Sequence, residues 1–238
     1  MITKNQIKFI KSLSLKKNRQ KEKLFIAEGE KIVAELLNSN FECYKIFATN
    51  EWILKNADIK TIKVTLSEMD RISNLKSANN VLAIVKMKQE NLPVTDGLTL
   101  VLDDISDPGN LGTIIRMCDW FGVKKIVCSK STVDCFNPKV VQSAMGSLFR
   151  IPIIYTHLEE YITKVDTPIY GACIHGENVR NVKFPETLHL IMGNEANGIS
   201  EVTNNLITDK VAIKNIGKSA ESLNVAIATS ILLYEFCN

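Results

Sequence analysis

The 238-residue chain is poor in the features that assign a sequence to a class at a glance. No apolar run approaches the roughly 18 residues of a membrane-spanning helix, so no membrane association is expected. The first twenty residues are Lys-rich and hold no apolar core of about 7–15 residues, so no secretory signal is read there and a cytoplasmic location is expected. Six cysteines, Cys43, Cys118, Cys128, Cys135, Cys173 and Cys237, are scattered without a CxxC pair, and only His157, His175 and His189 accompany them. That spacing offers no zinc site, so no metal is expected, and it reads as buried free thiols in a reducing compartment. No GxGxxG occurs, which argues against the common dinucleotide-binding loop. Internal repeats and low-complexity tracts are also missing. What remains is an ordinary globular composition, 45% hydrophobic and 23% charged, at a length suited to one or two domains.

Charge is unremarkable in sum and lopsided in place. Residues 1–90 hold 17 Lys and Arg against 10 Asp and Glu, whereas residues 91–238 hold 12 against 16. Eight basic residues crowd positions 1–23, with Glu22 the single acid. A polyanion is the expected partner of this front segment. Lys8, Lys11, Lys16, Lys17, Arg19 and Lys21 are candidate phosphate contacts, of the kind that position a nucleic acid without reading its sequence.

The polar stretch 89–97, with Pro93 and Gly97, reads as a linker. It separates a small α/β domain, 1–90, from a larger parallel α/β domain, 97–238. In the first, helical spacing runs from Gln6 to Leu15 and from Glu28 to Leu37, with strands at Leu24–Ile26, Lys45–Ala48, Thr61–Thr65 and Val81–Met87 and a helix at Leu66–Leu75. In the second, strands are expected at Leu98–Leu102, Lys125–Cys128, Ile151–Tyr155, Ile169–Cys173, Leu188–Met192 and Val211–Lys214. Helices are expected at Leu111–Phe121, Pro138–Ser147, near Leu158–Lys164 and at Ser222–Cys237. Gly- and Asn-rich loops follow several of these strands, at the edge where open α/β sheets bind ligands.

Three of these loops carry polar residues beyond what a turn requires. In DPGNLGTIIR (107–116), Asn110 stands where a helix N-cap would, Gly112 permits close approach and Arg116 follows six residues after Asn110. In GNEANG (193–198), two glycines bracket Asn194 and Glu195 directly after an apolar strand ending at Met192. In SLNVA (222–226), Ser222 is the expected cap of the last helix, and Asn224 is a poor helix former in its first turn. Each alone reads as ordinary capping and turning.

Together, in this order, they resemble the SpoU, or TrmH, family of RNA ribose 2′-O-methyltransferases of the SPOUT class. Asn110, Gly112 and Arg116 match its first motif, Gly193, Glu195 and Gly198 its second, and Ser222, Leu223, Asn224 and Val225 its third. The segment KLFIAEGEKIVAELL resembles that family's substrate-binding extension, similar to ribosomal protein L30e. The resemblance implies a trefoil-knotted parallel-sheet domain preceded by an L30e-like one, a homodimer, and S-adenosylmethionine as cofactor. It implies that Met192, Gly193, Asn194, Gly198, Ile213, Leu223 and Asn224 hold the cofactor. It also implies that Arg116, Asn110, Glu195, Ser222 and Asn224 form the catalytic group.

The implied substrate is RNA, because a 2′-hydroxyl distinguishes RNA from DNA. Ribosomal RNA is the expected target, with transfer RNA the alternative. Arg116 is expected either to accept the hydroxyl proton or, more in keeping with a guanidinium that stays charged, to bind phosphate and stabilise the forming alkoxide. Two further readings stand beside this one. Gly217-Lys218-Ser219 imitates a phosphate-binding loop, but Ala212 occupies the position of its first glycine. A non-catalytic RNA-binding protein on the same fold would lack pressure to keep all these polar residues.

Overall fold

A computed structural model describes residues 2–88, 96–217 and 221–237. The residues sort into two compact units. One comprises residues 2–88 together with Asp134–Arg150; the other comprises the described residues of 96–133 and 151–237. Linker residues 89–95 and the Lys218-Ser219 pair of the phosphate-loop imitation lie outside the described residues.

In the first unit, helices α1 (Lys4–Ser12) and α2 (Lys16–Glu22) precede strand β1 (Leu24–Glu28) and helix α3 (Glu30–Leu37). Strand β2 (Cys43–Ala48), helix α4 (Asn50–Lys55), the short strand β3 (Ile62–Lys63), helix α5 (Leu66–Ile72) and strand β4 (Val81–Lys86) complete the first part. The sheet order is β1-β4-β2-β3, with β4 antiparallel to both neighbours and β3 parallel to β2. Every residue of β1 is buried, so both faces of the strand are covered. Leu24 and Ile26 pack with Ile10, Leu13, Met69 and Ile72. Phe25 alternates to the other side, where its ring meets Phe136 at 4.5 Å and Phe41 at 6.2 Å. This is why the later segment belongs here: helix α7 (Pro138–Ala144) lies on β1, and the 3-10 turn Met145–Phe149 lies on α3. The expected single helix over 138–147 is thus two pieces, and the expected helix from Gln6 to Leu15 ends at Ser12, with α2 a separate helix. α1 and α5 both start on capping boxes, Thr3 with Gln6 and Thr65 with Glu68.

The second unit is a six-stranded, all-parallel sheet. Its elements are β5 (Leu98–Leu102), α6 (Pro108–Trp120), β6 (Lys125–Ser129), β7 (Ile153–Thr156), α8 (Leu158–Ile162), β8 (Ile169–Asn178), β9 (Leu188–Met192), α9 (Glu201–Asn204), β10 (Asp209–Ala212) and α10 (Val225–Phe236). The order β10-β8-β9-β5-β6-β7 means that the chain moves outward from β5 through β6 to β7, then returns to build the other side. The direction changes between β5 and β9, and the loops after those strands open at one edge of the sheet. The last strand lies slightly earlier than the expected 211–214. Among the described residues, no helix is long and apolar enough to cross a membrane.

Near the start of the strands, Lys125, Thr99 and His189 are register neighbours on β6, β5 and β9, and all three are buried. His189 Nε2 lies 2.9 Å from the Tyr161 hydroxyl and Nδ1 lies 2.7 Å from Thr167 Oγ1. Burial first, then the nearby Lys125 charge, depress the imidazole pKa to about 4.

Candidate active site at the sheet switch point

The loop after β5 is built on Asp103 and Asp104. Asp103 Oδ2 accepts from the Ser200 backbone N–H at 2.9 Å and from its hydroxyl at 2.7 Å, anchoring the far end of the 193–200 loop. Asp104 adopts a left-handed backbone, φ 59°, a conformation that Asp and Asn tolerate best among residues with a Cβ. Its carbonyl accepts from Asn194 Nδ2 at 2.7 Å. The bonds of these two acids fix the neighbouring loop.

The 193–198 loop closes on itself. Asn194 and Gly198 exchange both backbone hydrogen bonds at 2.9 Å, and Asn194 Oδ1 accepts from Ala196 and Asn197 N–H. A Cβ at position 193 would stand 2.2 Å from the Gly198 carbonyl carbon, so only glycine fits. Gly198 itself turns through φ 69°. The loop therefore presents Glu195 outward on a rigid base.

Two expected caps are corrected here. Helix α6 starts at Pro108, and its cap is Asp107, which accepts from the Asn110 N–H at 2.8 Å. Helix α10 starts at Val225, and its cap is Asn224, whose Oδ1 accepts from Ala226 and Ile227 N–H. Asn110 is thereby released from capping, and Asn224 does the work assigned to Ser222. Asn110 Nδ2 donates to Glu195 Oε1 at 2.8 Å, and Asn110 Oδ1 accepts from Asn224 Nδ2 at 3.0 Å. One continuous polar chain, Glu195–Asn110–Asn224, thus joins the three loops.

The remaining predicted residues fall around this chain. Met192 is buried at the end of β9, Ile213 is half-buried after β10, and Ser222 and Leu223 are exposed ahead of α10. Arg116 is exposed on α6, and no described residue pairs with its guanidinium. In the first unit, Lys16, Lys17 and Lys21 are exposed, but Arg19 is not available to phosphate. It is 1% exposed, it pairs with Asp134, and it donates to the Leu13 and Ser14 carbonyls at 3.0 and 2.7 Å. A guanidinium so engaged is a structural strut, which corrects its place in the basic set.

The three polar loops gather at the switch point of an all-parallel sheet, in a fold shared with solved RNA methyltransferases. The chain belongs to the SpoU rRNA Methylase family, which matches residues 97–234, and residues 4–83 match the MRM3-like substrate binding domain. It is 32% identical to 23S rRNA (guanosine(2553)-2′-O)-methyltransferase RlmP of Bacillus subtilis, over 97% of this chain and 96% of that one. The solved structure of a putative TrmH-family RNA methyltransferase from Porphyromonas gingivalis shares 36% identity at a TM-score of 0.90, covering 99% and 98% of the two chains. An AdoMet-bound rRNA methyltransferase from Sinorhizobium meliloti shares 27% at 0.89, covering 99% and 95%.

Proposed function

We propose that this chain transfers a methyl group from S-adenosylmethionine to a ribose 2′-hydroxyl of ribosomal RNA. The observation that carries the reading is the Glu195–Asn110–Asn224 hydrogen-bond chain, which draws three sequence-distant loops to one point of the sheet edge. The residues present fit the cofactor. Ile213, half-buried, and Leu223 and Ile216, both exposed, supply uncovered apolar side chains for a ring, and the closed 193–198 loop supplies backbone groups. Bound S-adenosylmethionine supplies an activated methyl on a sulfonium, so the protein need only position and activate the hydroxyl.

Asn110 is fixed from two sides, so its amide can orient a ribose without rearranging. Arg116 brings a permanent charge that no described residue neutralises. We assign it to the phosphate beside the target ribose and to the forming alkoxide, because a guanidinium does not readily accept a proton. Exposed Lys16, Lys17 and Lys21 hold the RNA through its phosphates.

The trefoil knot, the homodimer and the cytoplasmic location belong to the same proposal. The dimer is supported by Trp120, Ile227 and Tyr234, which stay 82%, 53% and 58% exposed on the packed helices α6 and α10. The location is supported by six cysteines, none of which is joined in a disulfide among the described residues. Methyl transfer from labelled S-adenosylmethionine to ribosomal RNA, lost when the target carries 2′-deoxyribose, tests the reaction. Transfer to a base or to DNA would overturn it.

A further inference from the structure

Strand β2 of the first unit carries a bulge at its start. Its antiparallel register with β4 sets Cys43 opposite Val85 and then Lys45 opposite Ile84, so Tyr44 is an extra residue with no partner on β4. A bulge of this kind bends the strand and re-aims the side chain it carries. On its other side β2 pairs with β3 only at Phe47 and Ala48, so Tyr44 stands on a stretch of sheet edge that β3 does not cover. The extruded side chain is 46% exposed, whereas Phe25, Phe47 and Trp52 of the same unit are buried.

Cations gather at this end of the sheet. Lys45 Nζ lies over the Tyr44 ring, 5.1 Å from its centroid, within the range of a cation–π contact. The Lys86 N–H at the end of β4 donates to the Glu42 carbonyl at 2.9 Å, which sets the exposed Lys86 side chain two residues from Tyr44 along the strand. Glu42 is the acid at this place, and its carboxylate already pairs with Lys86 at 2.6 Å. One strand further across, the Lys23 carbonyl accepts from the Met87 N–H at 2.8 Å, so exposed Lys23 joins the same end, two strand spacings or about 10 Å from β2. A bulge or a charged side chain suffices to keep another strand from adding to an edge, and neither requires an aromatic ring in water. An exposed ring with a cation over it, and further cations along the same end, has the chemistry that single-stranded nucleic acid meets: bases stack on the ring and phosphates meet the amines.

We propose that Tyr44 is a stacking platform for one unpaired base of the substrate RNA, with Lys45, Lys86 and Lys23 meeting the phosphates on either side of it. With Lys45 over one face of the ring, the base takes the other. Every base has a π face, so the contact grips unpaired RNA without choosing among bases. The inference rests on the methyltransferase reading for its RNA and concerns how the first unit holds that RNA.

The test is fluorescence anisotropy of the full chain with a short labelled single-stranded RNA, and with the same RNA annealed to its complement. Tyr44→Ala should weaken binding of the single strand roughly tenfold, the scale of one lost base stack, and Tyr44→Phe, which keeps the ring, should bind as the unmodified protein does. The salt dependence should be the same in all three, because no phosphate contact is removed. Duplex RNA, whose bases are stacked on one another, should bind the unmodified protein and Tyr44→Ala alike. The side chain is half exposed and has no partner on β4, so the melting temperature and S-adenosylmethionine affinity should hold in both variants. Photocrosslinking of the unmodified protein to the same RNA carrying 5-iodouridine, with the crosslinked residue located by mass spectrometry, should mark Tyr44 and needs no variant. Unweakened single-strand binding by Tyr44→Ala, a Tyr44→Phe variant as weak as Tyr44→Ala, or crosslinks confined to other residues would overturn the inference. Failure of the methyltransferase reading would show separately, as absent cofactor binding and absent methyl transfer by the unmodified protein.

Discussion

Arg19 Nη2 lies 2.6 Å from Asp134 Oδ2, and the two side chains are 2% and 11% exposed. The pair ties α2 to the Asp134–Arg150 segment within the first unit. Breaking one partner of a buried pair leaves an uncompensated charge, which costs about 3–5 kcal/mol. Arg19→Ala should therefore lower the midpoint of urea unfolding. Lowered RNA affinity with unchanged stability would return Arg19 to the phosphate contacts.

Lys16, Lys17 and Lys21 should behave in the opposite way. Replacing all three by Ala should flatten the salt dependence of RNA binding, by a slope change of about 0.7 per lost phosphate contact on single-stranded RNA. The melting temperature and cofactor affinity should hold. An unchanged slope would place the RNA on another face.

The contrast between Arg19 and its lysine neighbours shows what composition could carry. The density of charge at 1–23 is a sequence property, but which cation turns inward depends on Asp134, more than a hundred residues away. The strands were legible because apolar runs such as Leu188–Met192 fill a sheet covered on both sides. The short α4 and the split after Ala144 were not, because neither has a long enough apolar period to register. At the site, the motif residues were legible and their division of labour was not. Ser222 looks like a better cap than Asn224 until the helix is seen to start at Val225. Glu195 looks like a surface acid until Asn110 is seen to bond it.

Gly193 is expected to tolerate nothing larger. In Gly193→Ala the new Cβ would meet the Gly198 backbone at 2.2 Å, so the paired loop must open. Calorimetry should show S-adenosylmethionine affinity falling at least roughly tenfold, about 1.4 kcal/mol, while RNA binding is retained. Unchanged cofactor affinity would remove this loop from the cofactor site.

His189 makes the second unit acid-sensitive. Its folded pKa of about 4 lies below the unfolded value near 6.5, so the unfolded state takes up the proton first as pH falls. Its contribution is whole above about pH 6.5 and is lost progressively as pH falls toward 4, reaching about 2 kcal/mol by pH 5. Urea unfolding at pH 7.5 and 5.0 should show that loss, and His189→Gln should reduce it. An equal loss in the variant would assign the acid sensitivity elsewhere.

Arg116 separates two chemistries. It is exposed, and its guanidinium is unpaired among the described residues, as a group waiting for phosphate and developing negative charge should be. Arg116→Lys keeps the charge and loses the planar fork, so single-turnover methylation should slow by roughly 10- to 1000-fold, with Arg116→Ala slower still. Cofactor affinity should change little in either, since Arg116 is not among the residues assigned to hold it. Were Arg116 the proton acceptor, lysine would serve at least as well at high pH, because an amine deprotonates near pH ~10.4 and a guanidinium does not. Rates measured from pH 7 to 10.5 decide between them. A lysine variant that stays slow across the range supports electrostatic stabilisation, and one that recovers fully at the alkaline end makes Arg116 the base.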